Sequence, residues 1–236
     1  MECIQNSSLK ILYSDILAQN RTRLLEGGSA DDWLLRPEQD ARMAVALLLR
    51  IPTEVGERAA AALAPLRERF PELYCYPARD LHITVLDLLR GRAGLPLPSP
   101  KQCAAYERCI HNVAARYAPF TVQLRGLTAS DGALMLKGWF AEEEGGLNAL
   151  RADLRCALRE EGLPLEERYE TCSCHVTAVR FARPLSDPAA LLNWVERHAD
   201  TDFGTFLAAQ LEVSYHNWYD SRKQALAQIT LGTDRM

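Results

Sequence analysis

Two short stretches of the chain alternate apolar and polar residues as a half-buried β-strand does. One is Leu81-His82-Ile83-Thr84-Val85, and the other is Cys174-His175-Val176-Thr177-Ala178. Successive side chains of a strand point to opposite faces of the sheet. The spacing therefore predicts that each histidine shares a face with the threonine two residues later, while the apolar neighbours face the core.

The remaining apolar positions predict alternating helices and strands. Apolar residues at helical spacing between residues 7 and 25 predict an N-terminal helix that ends at Gly27-Gly28. The continuous apolar run from Met43 to Ile51 predicts a buried strand. The further predicted helices are Thr53 to Phe70, Ser99 to Tyr117, Glu142 to Gly162 and Asp187 to His198. The further predicted strands are Tyr74 to Leu89, Pro119 to Leu127, Ala133 to Phe140, Thr171 to Phe181, Thr205 to Tyr215 and Gln224 to Leu231.

The order strand, helix, His-x-Thr strand, helix, strand occurs twice, and the two histidines lie 93 residues apart. Repetition at a fixed offset indicates two related lobes. Hairpin-like strand pairs in each half favour antiparallel sheets over a doubly wound parallel sheet. We therefore predict an α+β fold with two pseudo-symmetric lobes of antiparallel sheet and outer helices around a central cleft. This domain spans residues 41–236, and residues 1–40 form a helical extension. The sequence leaves the role of this extension open, and the candidates are binding a protein partner and covering the cleft.

Composition and charge restrict the classes of ligand that the protein is expected to bind and the cellular compartment in which it is expected to lie. The chain has 236 residues, 48% apolar and 25% charged, as in ordinary globular proteins. Its formal net charge of −4 argues against duplex nucleic acid and favours a nucleotide or a short, single-stranded RNA. Seven cysteines without a framework spacing, and a start without signal-peptide features, predict a reducing cytoplasm. The longest apolar run, Met43 to Leu49, is too short to span a membrane.

The tetrapeptides His82-Ile83-Thr84-Val85 and His175-Val176-Thr177-Ala178 resemble the two signature motifs of the two-histidine (2H) phosphoesterase superfamily. That superfamily includes 2′-5′ RNA ligase-like proteins and cyclic nucleotide phosphodiesterases. The segment Pro77 to Leu81 resembles the family's lead-in to the first motif, and Arg180 stands where the family often has a basic residue. The second motif departs from the family pattern at Cys174, where proline is common.

The resemblance implies metal-independent cleavage of a ribose-linked phosphodiester, with no cofactor. Histidine titrates near neutral pH, so one imidazole can accept a proton while the other donates one. His82 and His175 would form this general acid/base pair, and the hydroxyls of Thr84 and Thr177 would bind the phosphate oxygens. The sequence leaves open which histidine is the acid. Candidate bonds are a 2′,3′-cyclic phosphate, a 2′-5′ linkage, or a cyclic nucleotide or RNA end.

Other residues have weaker signals. A metal site at Cys172, Cys174 and His175 is disfavoured, because alternation turns the cysteines away from the histidine. His216 precedes a predicted turn and could border the cleft. The candidate substrate contacts, by stacking or phosphate binding, are Tyr76, Arg79, Arg180, Trp218 and Tyr219. The alternative function is a catalytically quiet module that binds RNA or nucleotides in the same cleft.

Overall fold

A computed structural model of the chain describes residues 4–141 and 146–232. Within these ranges nine strands form one antiparallel sheet, and five α-helices accompany it. The predicted helix start at Glu142 and the predicted domain end at residue 236 lie outside the described residues. The helices are α1 (Ile4–Leu25), α2 (Thr53–Arg69), α3 (Pro100–Ala114), α4 (Leu147–Glu160) and α5 (Pro188–Arg197). The strands are β1 (Arg42–Arg50), β2 (Leu73–Cys75), β3 (His82–Ala93), β4 (Phe120–Ala129), β5 (Ala133–Phe140), β6 (Val176–Phe181), β7 (Asp202–Ala208), β8 (Gln210–Asn217) and β9 (Lys223–Thr230).

The sheet consists of two lobes that meet at β6 and β3. Its strand order is β7-β4-β5-β6-β3-β1-β8-β9, with β2 paired to β6 beside this path. β4 lies beside β5 and β8 lies beside β1, so each half of the sequence contributes a strand to the other lobe. The predicted two-lobed α+β architecture is confirmed, and the exchange of strands ties the two halves together.

Several predicted strands have different bounds in the structure. The predicted strand Tyr74 to Leu89 is divided, because Pro77 lacks a backbone donor and a 3₁₀ turn at Ala78–Asp80 precedes β3. The predicted strand Thr205 to Tyr215 is also two strands, β7 and β8, which serve different lobes. The strand predicted to begin at Thr171 begins only at Val176.

The N-terminal helix α1 packs against β4, β5 and α5. Its residues Leu9, Tyr13 and Leu24 are buried in this contact. The division of the chain at residue 40 stays a prediction. Among the described helices, none is both long enough and apolar enough to cross a membrane.

Candidate active site

The two His-x-Thr motifs lie side by side on the central strands of the sheet. Ile83 of β3 pairs with Val176 of β6, and both side chains are fully buried. Extending this antiparallel register by one residue places His82 opposite Thr177. By the same register, the histidine of the second motif lies opposite the threonine of the first. The register therefore sets the two histidines and two threonines at opposed positions on one face of the two strands.

A β-bulge follows each motif at the same position. Val85 is the extra residue of β3 against β1, and Ala178 is the extra residue of β6 against β5. Each lies three residues after its histidine. A bulge shifts the alternation of side chains by one residue, so Asp87 and Arg180 return to the face that carries the histidines. Both are half-buried there, whereas regular alternation would have turned Arg180 to the opposite face.

His82 lies among backbone and carboxylate acceptors. Its Nδ1 donates to the carbonyl oxygen of Asp80 at 2.9 Å, and the Asp220 carboxylate lies 4.0 Å from the same nitrogen. Because a carbonyl oxygen only accepts, the neutral ring carries its proton on Nδ1, and Nε2 is the nitrogen that can accept a proton. Burial lowers the pKa of His82 to about 4, although the negative charge of Asp220 opposes this shift.

Asp220 is fully buried beside His82 and is held by two cations. Its carboxylate accepts hydrogen bonds from Arg50 and from Lys223, the latter at 2.7 Å, and Lys223 also binds Asp80 at 2.8 Å. Burial raises the pKa of the Asp220 carboxyl, but the charges of His82 and Arg50 outweigh burial and hold this pKa below its usual range. The φ angle of Asp220 is 57°, a left-handed conformation that is uncommon for a residue with a side chain.

His175 lies beside cations instead. Its Nδ1 forms a 2.6 Å hydrogen bond with the hydroxyl of Ser173. Burial, together with the positive charges of Arg151 and Arg180, lowers the pKa of His175 to about 4. Ser173 stands two residues before its histidine, as Asp80 does in the first motif, so the same motif position supplies the Nδ1 partner in both lobes.

Arg151 of α4 is a fully buried guanidinium next to the first motif. It donates from Nε to the Val85 carbonyl at 2.9 Å and from Nη2 to the Thr84 carbonyl at 2.6 Å, and Nη1 binds Asn148 at 2.9 Å. Burial lowers its pKa to about 10, so it remains charged at neutral pH. Across residues 4–141 and 146–232 no carboxylate forms an ion pair with Arg151. The positive charge of Arg151 is therefore not neutralised by a neighbour and favours an anion bound at the motifs.

Two of the predicted substrate contacts, Tyr76 and Tyr219, are buried and bind other side chains. The Tyr76 hydroxyl accepts a hydrogen bond from Arg180 Nε at 3.0 Å. The Tyr219 hydroxyl donates to Asp40 at 2.7 Å and accepts from Arg42 at 2.8 Å. These positions make the tyrosines supports for neighbouring charged groups, and their rings are not exposed for stacking on a base.

Of the other candidate residues, Trp218 and His216 lie near the motifs, and Arg79 is exposed at the surface. Trp218 is half-buried, with the guanidinium of Arg180 5.6 Å from its ring centroid, so Arg180 links it to the second motif. His216 is buried, and its ring centroid lies 5.9 Å from that of His82. The Arg79 side chain is 82% exposed and lies 3.8 Å from the Asp80 carboxylate.

A family model described as the 2'-5' RNA ligase superfamily matches residues 55–215, which include both motifs. The chain belongs to this superfamily. The resemblance to 2H phosphoesterases is thereby confirmed, and membership supports an activity of the phosphoesterase or RNA ligase type. No curated protein matches the chain.

Solved structures similar to this superfamily member share its fold. TT0787 of Thermus thermophilus is 21% identical, with a TM-score of 0.57 over 82% of this chain and 100% of that chain. LigT of E. coli, solved in complex with 3'-AMP, is 17% identical, with a TM-score of 0.53 over 80% of this chain and 98% of that chain. A structure described as a phosphoesterase is 16% identical, with a TM-score of 0.52 over 81% and 99% of the two chains.

Sequence reasoning missed three residues that contact the motifs of this superfamily member. Ser173 could have been found, because the internal repeat sets it at the position that Asp80 occupies in the first motif. Asp220 lies in the predicted turn that follows His216, and nothing local indicates that this turn folds against β3. Arg151 lies on an amphipathic helix, where an arginine is ordinarily exposed, so its burial had no sequence signal.

We expect both motif histidines to titrate near pH 4 in the ligand-free protein, below the ordinary value of 6.5. The unfolded chain takes up these protons near pH 6.5, so the folded state loses stability as the pH falls from 6.5 toward 4. NMR titration of the ring Cε1–H resonances, assigned with His82→Ala and His175→Ala, measures both values. A pKa at or above the ordinary value for either ring would contradict the described burial.

Proposed function

We propose that this protein cleaves a ribose-linked phosphodiester without a metal ion, using His82 and His175 as the general acid/base pair. The crossed arrangement carries the proposal, because each histidine faces the threonine of the other motif. Two proton-transfer groups and two hydroxyl donors around one space suit attack at a phosphodiester. The presence of 3'-AMP in the LigT structure supports a ribonucleotide-type ligand, either a nucleotide or a short, single-stranded RNA.

The charges around the two histidines support different roles. The Asp220 carboxylate lies 4.0 Å from Nδ1 of His82, and its negative charge favours the protonated form of this ring. The charged groups near His175 are the cations Arg151 and Arg180. Negative surroundings favour an imidazolium and positive surroundings favour the neutral ring, so His82 is the general acid and His175 the general base.

In hydrolysis of a 2′,3′-cyclic phosphate, a water molecule attacks phosphorus and transfers a proton to Nε2 of His175. The bond between phosphorus and one ribose oxygen breaks, and His82 gives its Nε2 proton to that oxygen. One phosphorus–oxygen bond forms and one breaks, so the product is a nucleotide phosphomonoester. The negative charge of the bound phosphate raises the pKa of His82 above its ligand-free value, which favours the protonated acid in the complex.

Thr84 and Thr177 stabilise the phosphate oxygens in this proposal. Both side chains are half-buried on the face of the histidines, and within the described chain neither hydroxyl has a hydrogen-bond partner. They can therefore donate to non-bridging oxygens without breaking an existing bond. Arg180 adds positive charge on the same face, where the attacked phosphate gains negative charge.

A substrate panel tests the proposal. Purified protein is incubated with 2′,3′-cyclic nucleotides, 2′-5′ and 3′-5′ oligonucleotides and cyclic dinucleotides, with and without a chelator, and the position of the product phosphate is determined. We expect turnover of at least one ribose-linked substrate at a rate that the chelator leaves unchanged. Saturable binding without turnover would favour the quiet binding module, and loss of turnover in chelator would contradict the metal-independent mechanism.

A further inference from the structure

The N-terminal helix takes the place of a strand next to the second motif, although it precedes the family-matched residues 55–215. β5 pairs with β6 only as far as Leu136, which faces Val176. Beyond this point α1 binds the free edge of β5. The side chain of Asn6 donates to the carbonyl oxygen of Phe140 at 2.8 Å and accepts from its amide at 2.9 Å. An amide side chain thus replaces one residue of a paired strand.

Tyr13 lies two helical turns after Asn6 and binds the next position along the same edge. Its hydroxyl donates to the Gly138 carbonyl at 3.1 Å and accepts from the Gly138 amide at 3.3 Å. The hydroxyl also accepts from the amide of Cys174 at 3.2 Å. Burial raises the pKa of Tyr13, so the hydroxyl keeps the proton that it donates. Tyr13 therefore joins β5 to the residue immediately before His175.

The segment before His175 lies outside the paired strands and is held by hydrogen bonds from other elements. Two side chains of α4 bind its first residues, since Asn148 donates to the Cys172 carbonyl at 3.2 Å and Arg155 to the Thr171 carbonyl at 3.0 Å. β6 begins at Val176, so the amide of Cys174 lies outside the sheet pairing of the described chain. The fit against β5 is close, since a Cβ on Gly138 would lie 2.0 Å from the Cys174 carbonyl oxygen and 2.8 Å from its sulfur. The side chain of Cys174 is fully buried. Tyr13 and the bare backbone of Gly138 contact the end of this segment that lies next to His175.

We propose that Tyr13 is a positioning residue for His175, and that α1 is therefore part of the catalytic unit. The inference rests on the proposed function, because Tyr13 acts only through the histidine. Without the hydroxyl, the Cys174 amide loses its partner and the backbone beside His175 gains freedom. The general base then spends less time in the geometry that proton transfer requires. Since the hydrogen bonds of Tyr13 in the described chain go to Gly138 and Cys174, and not to Thr84 or Thr177, we expect substrate binding to be preserved.

The test compares Tyr13→Phe with a matched variant, Tyr106→Phe. Tyr106 is also fully buried and donates to a backbone carbonyl, that of Pro164 at 2.9 Å, which lies in the loop after α4 rather than beside a motif. We expect Tyr13→Phe to lower kcat about tenfold with little change in KM, and Tyr106→Phe to leave both constants unchanged. Amide hydrogen exchange and ring resonances, measured by NMR, should show faster exchange at Cys174 and a shifted His175 ring in Tyr13→Phe alone.

The NMR measurement tests the positioning role of Tyr13 independently of whether the protein has the proposed activity. If the wild-type protein lacks turnover, the proposed function fails, yet exchange at Cys174 and the His175 resonance still report whether Tyr13 positions the segment. Unchanged exchange and an unchanged His175 resonance in Tyr13→Phe would overturn the inference. An equal fall in kcat for Tyr106→Phe would also overturn it, because a general loss of stability would then explain the effect.

Discussion

Replacing either motif histidine by alanine should lower kcat by roughly 10²–10⁴-fold for a 2′,3′-cyclic nucleotide that the wild-type protein cleaves. Each variant loses one of the two proton transfers. Both side chains are only half-buried, so the variants should keep the wild-type fold by circular dichroism. His111→Ala is the matched control, since His111 lies on the exposed side of α3 and should be dispensable. Full activity in His82→Ala or in His175→Ala would exclude that histidine from the chemistry.

A substrate with a better leaving group should show which histidine is the general acid and which is the general base. The departing p-nitrophenolate of a p-nitrophenyl phosphodiester needs little protonation, so the loss of a general acid matters less for this substrate. His82→Ala should therefore recover most of its activity with this substrate, whereas His175→Ala should remain slow. Recovery by His175→Ala alone would reverse the assigned roles of acid and base.

Replacing Gly138 by alanine should lower kcat about 10²-fold, although Gly138 contributes no side chain to the chemistry. The added Cβ would lie 2.0 Å from the carbonyl oxygen of Cys174, so this oxygen must move by more than 1 Å to reach ordinary contact. The shift passes to His175 through one peptide unit, and a misplacement of about 1 Å can cost about 10²-fold in rate. Steady-state kinetics with the best substrate of the panel measures the effect.

Gly232→Ala is the matched control for this clash. Its Cβ would also lie 2.0 Å from a backbone carbonyl oxygen, that of Ala115, but Gly232 follows β9, which β1 and β8 separate from the strand of the first motif. Both variants should lose stability in thermal unfolding, since overpacking costs about 1–3 kcal/mol. Only Gly138→Ala should lose kcat at a temperature where both are folded. Equal kcat values for the two variants would contradict the described packing of Cys174.

Local sequence pattern was sufficient to predict the polar face of the first motif. His82 and Thr84 share a face because alternation along a strand is fixed by the backbone. The repeat then identified the second motif as an equivalent element, and the two lobes followed from it. The turn at Ser130-Asp131-Gly132 also predicted the hairpin of β4 and β5, which the structure confirms. The pairing of β8 with β1 was not predictable in this way, because it joins strands from different halves of the chain.

The supporting residues depend on non-local contacts that leave little trace in the sequence. The bulge at Ala178 is visible only in the pairing of β6 with β5, so the sequence alone does not show it. Because of this bulge, the Arg180 side chain lies on the same face as the histidines. Tyr13 stands among the regularly spaced apolar residues of α1, so its hydroxyl gave no signal of a contact with Cys174. Tyr219 sits in a predicted turn and was therefore expected near the cleft, but the turn folds inward and buries it.

The most direct test of a composite site is the rate of the double variant His82→Ala/His175→Ala beside the two single variants. Residues that act as one catalytic unit are strongly non-additive, so removing both should cost little more than removing one. We therefore expect the double variant to cleave the best substrate at about the rate of the slower single variant. A double variant whose loss equals the product of the two single losses would contradict the claim that the motifs form one site.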